Sequence, residues 1–318
     1  MRTPTALDDL AAEFAGHRGH LIGVAYRLTS TRSDAEDAVQ EAWLRLAALD
    51  DAGRAGIRDL RAWLTTVVGR ICLDRLRSAP ARREQYVGQW LPEPIVTPFG
   101  APVSEDPLEA AVRDDGIRMA ALVVLDKLTP EQRVAFVLHD AFSVPFAEVA
   151  GILGCSPDAA RQHGSRARRA LESADPPPRA ELTEQQQVLE KFVTALLAGD
   201  IRAMAKVLHP DVVLIGDSDG KGRTTRQIMV GADKLSRFFL GLIQKYEPGV
   251  ISRGAPILVN GDLGLWLPPM PGHDGFLSVD EHVQSMSLRD GRIVAIYDIV
   301  NPDKLTHITR PESADSSD

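Results

Sequence analysis

The chain has 318 residues, long enough for two or three domains that each bury a core. Its 44% hydrophobic and 25% charged residues describe a soluble globular protein, and no apolar run is long enough to cross a bilayer. A formal net charge of −8 argues against a protein that grips duplex DNA unaided, because phosphate neutralisation supplies most non-specific affinity. The two cysteines, Cys72 and Cys155, lie far apart and read as reduced, small hydrophobic residues rather than a disulfide or metal ligands. The N-terminus is polar and acidic rather than signal-like, so a cytoplasmic location without membrane contact is expected. No cofactor is expected.

From about Asp8 to Ser78 the pattern is helical. Leu10, Phe14, Leu21, Val24, Ala25 and Leu28 form one apolar stripe, and Val39, Trp43, Leu44 and Leu46 another. Between them Ser33 is expected to cap a helix whose first turn holds Asp34, Glu36 and Asp37. Acid and amide character continues through Gln40 and Glu41 beside Trp43; a solvated face and a protein-docking surface both fit. The Asp50 to Ile57 loop is expected to be mobile. A third helix, about Asp59 to Ser78, interleaves Arg61, Arg70, Arg75 and Arg77 with Trp63 and aliphatic residues. That mixture suits unpaired bases held by stacking and charge, and it suits an ordinary amphipathic helix equally.

Pro92, Pro94, Pro98, Pro102 and Pro107 make the next stretch an extended connector, although a passive spacer has no need of Trp90, Leu91, Ile95 or Phe99. Leu122, Val123, Leu125 and Leu128 then lead to Thr129-Pro130, a cap and first helical residue, and a helix that continues through Leu138. Val144, Phe146, Val149, Ala150 and Leu153 predict a short helix broken by Gly154, and Ser156-Pro157-Asp158 start another. This last helix carries Arg161, Gln162, His163, Ser165, Arg166, Arg168 and Arg169, while Ala160, Ala167 and Leu171 can pack inward. Two helices with a short Gly-containing turn, the second basic, form a helix-turn-helix pattern; a helical hairpin with a solvated face is the other reading. Gly164 should weaken the basic helix by about 1 kcal/mol relative to Ala.

Three prolines after Asp175 mark a domain boundary. Two helices follow, up to Leu208, and then apolar or alternating runs at 212–215, 250–259, 263–267, 276–288 and 293–300, with a helix at 231–245. Helices followed by a curved antiparallel meander suggest a cone that encloses a pocket. Asp262, His273, Asp274, Asp280 and His282 are conceivable acid–base residues, but Asp262 and Asp274 belong to Gly-flanked turns and no triad or metal spacing is visible. A pocket or docking surface is expected, with an unknown small molecule as one possible partner. The tail from Pro311 is acidic and serine-rich and reads as disordered.

The run Asp34-Ala35-Glu36-Asp37-Ala38-Val39-Gln40-Glu41, then Arg61-Ala62-Trp63-Leu64 and Asp74-Arg75-Leu76-Arg77, resembles region 2 of a bacterial sigma factor of the extracytoplasmic-function class. The helix-turn-helix resembles region 4 of the same family. Trp90-Leu91-Pro92-Glu93-Pro94 resembles a signature of the subgroup with a fused C-terminal extension, group 41 of the class. Asp217-Ser218-Asp219-Gly220-Lys221 resembles that subgroup's glycine-rich acidic turn, with Ser218 and Asp219 at glycine positions, and Asn301-Pro302-Asp303-Lys304-Leu305 resembles its terminal signature. The C-terminal order of elements resembles the SnoaL-like, polyketide-cyclase branch of the nuclear-transport-factor-two (NTF2-like) fold.

The resemblance implies a multidomain fold: two all-α sigma modules and an α+β NTF2-like cone. Region 2 would occupy 1–80, a Pro-rich linker 81–112, region 4 113–174, the regulatory cone 180–306 and a disordered tail 307–318. It implies a non-enzymatic specificity subunit whose Asp34, Glu36, Asp37, Gln40 and Glu41 dock on core RNA polymerase. Arg61, Trp63, Arg70, Arg75 and Arg77 would meet the downstream element of promoter DNA. Arg161, Gln162, His163, Ser165, Arg166 and Arg168 would read the upstream one. A one-component helix-turn-helix regulator with a ligand pocket, and a cyclase- or hydrolase-like enzyme, are the competing readings.

Overall fold

The computed structural model describes residues 6–102 and 106–311, and the expected disorder at 312–318 lies outside them. The chain forms two compact units, one of Met1–Glu84, Ser104–Ile117 and Ala121–Pro176, the other of Gln85–Val103, Arg118–Ala120 and Pro177–Asp318.

In the first unit α1 (Ala6–Thr29) buries Leu21, Ile22, Val24, Ala25, Tyr26 and Leu28 against α2 (Arg32–Ala47) and α4 (Leu60–Arg83). Ser33 is not the cap of α2. Thr31 occupies that position and donates its hydroxyl to Asp34 Oδ2 at 2.9 Å. The stretch expected to be a mobile loop holds a short helix, α3 (Asp51–Ala55), because the Asp50 side chain accepts from Gly53 N–H at 2.7 Å. Leu44, assigned above to an apolar stripe, is 59% exposed, since the buried face of α2 is Ala35, Ala38, Val39, Ala42 and Leu46.

The C-terminal end of the expected linker is also helical. Asp106 caps α5 (Pro107–Asp115) by accepting from Leu108 and Glu109 N–H, and it takes Arg32 Nη2 at 2.6 Å. Burial works against the Asp106 charge, but these bonds and Arg32 outweigh it and hold the carboxyl below the usual range. After α6 (Met119–Leu125), Thr129 forms a full capping box on α7 (Pro130–Phe136), which widens into a π turn at Val137–Ala141 instead of continuing as an α-helix. Next come α8 (Phe146–Leu153), ended by Gly154 at φ 69°, and α9 (Pro157–Ala174), capped by Ser156 Oγ, which accepts from Ala159 N–H.

The helix-turn-helix packs on α4. Gly69 permits this close approach, because a Cβ there would lie 3.2 Å from Leu138 and 3.3 Å from Ile152. Arg133 of α7, 2% exposed, reaches across to the Arg27 carbonyl at 3.1 Å and to Ser30 Oγ, and it pairs with Asp126 at 3.0 Å.

The second unit is a seven-stranded sheet of order β1-β4-β5-β6-β7-β2-β3 with three helices. Its strands are β1 (Val96–Pro98), β2 (Leu208–Asp217), β3 (Met229–Val230), β4 (Ala255–Val259), β5 (Asp262–Leu267), β6 (His282–Arg289) and β7 (Arg292–Ile299). The helices are α10 (Leu182–Leu197), α11 (Ile201–Val207) and α12 (Ala232–Ile243). It is not a purely antiparallel meander, since β2 runs parallel to β7 while every other pairing is antiparallel. Ile251–Arg253 is a 3₁₀ turn and 276–281 precedes β6, so both runs are shorter as strands than their apolar length suggests. The connector supplies β1 as an edge strand, where the missing N–H of Pro98 is tolerated.

Val188, Phe192, Leu196, Leu214, Phe239, Met286 and Ile296 belong to the cone's core. Asp262 is buried between Arg118 at 2.8 Å and Arg179 at 3.0 Å, which makes it a structural anion. Beyond the sheet, Ile308 is buried and Arg310 pairs with Glu281 at 2.8 Å, so 307–311 is fixed against the domain.

Candidate functional site

On α2 the acidic residues divide. Asp34 faces α4 and pairs with Arg75 at 2.7 Å, and Arg75 also approaches Asp37 at 3.6 Å. Glu36 pairs with Arg32 at 3.0 Å and Glu41 with Arg45. Asp37, Gln40 and Leu44 follow helical spacing on the outer face, beside Trp43, whose ring meets Phe14 at 5.1 Å. The exposed Leu44 extends this face and was missed from the sequence; its position off the buried stripe is the signal that locates it.

On α4, Arg61 Nη2 donates to His20 Nδ1 at 3.0 Å, and half-buried Trp63 follows it. Arg70 Nη2 donates to the Gly151 carbonyl of α8 at 3.2 Å, and Arg77 pairs with Glu131 of α7 at 3.1 Å. Burial opposes the Glu131 charge, but its backbone hydrogen bond and Arg77 hold the carboxyl below the ordinary range. Two of the arginines expected to meet DNA are therefore engaged by the helix-turn-helix.

On α9, Arg161, Gln162 and Arg166 are exposed and Ser165 is half-buried. Arg168 is tied to Asp140 at 2.6 Å, and His163 keeps Nδ1 buried without a partner, so both belong to the scaffold side of the helix. Arg169 is exposed and extends the basic face. Gly164 is close-packed: a Cβ would lie 3.1 Å from the Phe146 ring, which is itself stacked on His139 at 3.8 Å. Gly164→Ala is expected to lower the melting temperature despite alanine's higher helix propensity, because the ring has no room to retreat. A raised melting temperature would contradict this.

In the second unit three separate stretches converge on one buried carboxylate. Asp217, fully buried at the end of β2, accepts from Tyr86 Oη, from Leu91 N–H at 2.6 Å and from Lys304 Nζ at 2.6 Å. Lys304 also donates to the Leu91 carbonyl and lies 4.1 Å from the Trp90 ring centroid, a cation–π contact. Asn301 Nδ2 donates to Tyr86 Oη at 2.8 Å. Burial, with the Asp217 charge beside it, pushes the Tyr86 phenol up, so it stays a neutral donor.

Around this centre Asp219 accepts from Val87 N–H at 3.1 Å and pairs with Lys221 at 3.0 Å, and Lys221 also reaches Asp303. Asp219 takes φ 49° and Gly220 φ 70°, so the turn keeps its left-handed geometry with Asp at a glycine position, which short polar side chains tolerate. Pro92, Glu93 and Pro94 are buried with Leu91, whereas Pro302 begins a 3₁₀ turn ahead of buried Leu305. No group of His, Cys, Asp and Glu among the described residues could hold a metal ion, and no helix there is long and apolar enough to cross a membrane.

Residues 14–82 match the family model for Sigma-70 region 2, and residues 118–171 match that for Sigma-70 region 4. Over 301 residues, 93% of each chain, the sequence is 50% identical to the ECF RNA polymerase sigma factor SigJ of Mycobacterium tuberculosis. The chain is an extracytoplasmic-function RNA polymerase sigma factor. The crystal structure of M. tuberculosis SigJ superposes on this sigma factor with a TM-score of 0.78 at 47% identity, over 93% of this chain and 98% of that one. A probable ECF sigma factor of the same organism, SigI, is 31% identical over 308 residues, 94% of this chain and 95% of its own. The sigma factor is thus an alternative specificity factor for transcription initiation rather than an enzyme, and it works with core RNA polymerase and promoter DNA. The one-component regulator and cyclase readings fall with that assignment.

Proposed function

We propose that this sigma factor is controlled in the cytoplasm by its own C-terminal cone, which holds the connector between regions 2 and 4. Asp37, Gln40, Glu41 and Leu44 form the face offered to core polymerase. Arg61, Trp63, Arg70 and Arg77 meet the downstream promoter element, and Arg161, Gln162, Ser165 and Arg166 read the upstream one. The observation that carries the regulatory part is the convergence of Trp90–Leu91, Asp217 and Lys304 on one buried ion pair. The pairing of Arg70 with Gly151 and of Arg77 with Glu131 supports a resting state in which the DNA side of α4 is covered. A small-molecule ligand in the cone is the proposed input.

Run-off transcription with purified core polymerase tests the reading. Arg161→Ala is expected to weaken promoter binding by the holoenzyme about tenfold and to lower the salt slope by about one counterion if the guanidinium meets phosphate. An unaltered affinity would remove Arg161 from the interface.

A further inference from the structure

The cone encloses a cavity of about 190 Å³, walled by Leu189, Phe192, Phe239, Ile243, Leu265 and Met286. One end is polar. There Asp298, 5% exposed, accepts from Thr224 Oγ1 at 2.5 Å, His282 Nδ1 at 2.9 Å and Gln284 Nε2 at 3.1 Å. Three donors hold this carboxylate in place. Its effect falls on His282, 5% exposed: burial disfavours the imidazolium, but Asp298 outweighs burial and raises the ring's pKa above its ordinary value. With Nδ1 committed to Asp298, Nε2 is the nitrogen that the ring can offer to a ligand.

Tyr246, 6% exposed, lines the same cavity, and its hydroxyl makes no hydrogen bond with any described residue. Burial, then Asp280, raises its pKa, so it is a neutral O–H donor. Both residues line the cavity and can donate to a ligand held in it. The charges around them select what that can be. Asp298 and Asp280 act on this end of the cavity, while Arg223 is committed through Nη1 to Ser278 and through its N–H to Asp280. Lys245 is exposed at the margin. An anionic ligand would meet two carboxylates, and a cationic one would meet the imidazolium. An uncharged acceptor with two lone pairs satisfies both donors.

We propose that the cone cavity is a receptor site for a compact, uncharged, mainly apolar molecule bearing one carbonyl group, which accepts from His282 Nε2 and Tyr246 Oη. The cavity is smaller than the roughly 300–1,000 Å³ of drug-sized sites, which limits the ligand to about one or two rings. This deepens the reading of the cone as a ligand-controlled regulator and rests on it.

The test is a fluorescence titration of the full chain with 6-acetyl-2-(dimethylamino)naphthalene, an uncharged carbonyl probe whose emission responds to hydrogen bonding, followed by displacement. We expect 2-acetylnaphthalene to displace it at roughly tenfold lower concentration than 2-ethylnaphthalene, the isostere without the acceptor, and 2-naphthoate to compete worse than the ketone. Tyr246→Phe removes a hydroxyl that no described residue uses, so folding is preserved. His282→Gln keeps a donor for Asp298. Each variant is expected to weaken the ketone about fivefold and to leave 2-ethylnaphthalene unchanged. Absence of probe binding, equal displacement by the two neutral compounds, tighter binding of the naphthoate, or wild-type affinity in both variants would overturn the proposal. Run-off transcription by the same preparation without any compound reports separately on the regulatory reading.

Discussion

Replacing Asp217 by alanine is expected to release the connector from the cone and to destabilise that domain by about 3–5 kcal/mol, the range for breaking a buried ion pair on one side. The loss is this large because Asp217 is fully buried and answers three donors at once. Its removal deprives Lys304, 7% exposed and held against the Trp90 ring, of the carboxylate that accepts from its Nζ at 2.6 Å. The melting temperature should fall by roughly 10 °C. Amide exchange at Val87 and Leu91 should accelerate, since both N–H groups donate to Asp217 or its neighbour Asp219. The double variant Asp217→Ala, Lys304→Met should lose less than the sum of the two single variants, because both changes remove the same ion pair. Unchanged exchange at Leu91 would transfer the hold on the connector to the β1–β4 pairing and to Asn260, whose side chain accepts from Ile95 N–H at 3.2 Å.

Arg133→Ala is expected to have an effect of similar size, about 3–5 kcal/mol, on the first unit. The guanidinium is buried and bridges region 4 to the end of α1, through the Arg27 carbonyl and the Ser30 hydroxyl, while Asp126 balances its charge. Loss of the bridge should loosen the helix-turn-helix from α4 and expose the Val137 to Pro145 segment to protease. Arg133→Lys preserves the charge but cannot present a planar fork to three acceptors, so only partial recovery is expected. Limited proteolysis and thermal melting check both variants. A wild-type cleavage pattern in Arg133→Ala would show that packing around Gly69, with the Arg70–Gly151 and Arg77–Glu131 contacts, holds the two sigma regions together without it.

The sequence was most legible where local physics decides. The Thr129 and Ser156 caps, the Gly154 stop and the basic face of α9 all follow from residue type and spacing, and each is present in the fold. The signatures around Trp90, Asp217 and Asn301 were visible one by one. Their meeting was not, because nothing in three short polar stretches states that Leu91, Asp217 and Lys304 will close on one another. The same limit applies to β2: its apolar alternation predicts a strand but not a parallel partner in β7.

His282 was one of several conceivable acid–base residues in the sequence, and only the structure shows that β6, with its period of two, brings His282, Gln284 and Met286 to the cavity. Arg70 and Arg77 carried the right chemistry for DNA, and only the tertiary structure reveals that Gly151 and Glu131 engage them. Gly164 was read as a weak point of its helix, whereas its missing side chain is what admits Phe146.

In the proposed resting state regions 2 and 4 pack face to face and must part for both promoter elements to be read. Spin labels at Asp74→Cys on α4 and Glu172→Cys on α9, both exposed, measure it directly in a Cys155→Ser background. Cys72 stays silent, because it is buried and burial pushes its thiol up to about 12. The free chain should give one short interlabel distance, and addition of core RNA polymerase with a promoter fragment should replace it by distinctly longer ones. The same short distance in a holoenzyme that initiates transcription would contradict the account.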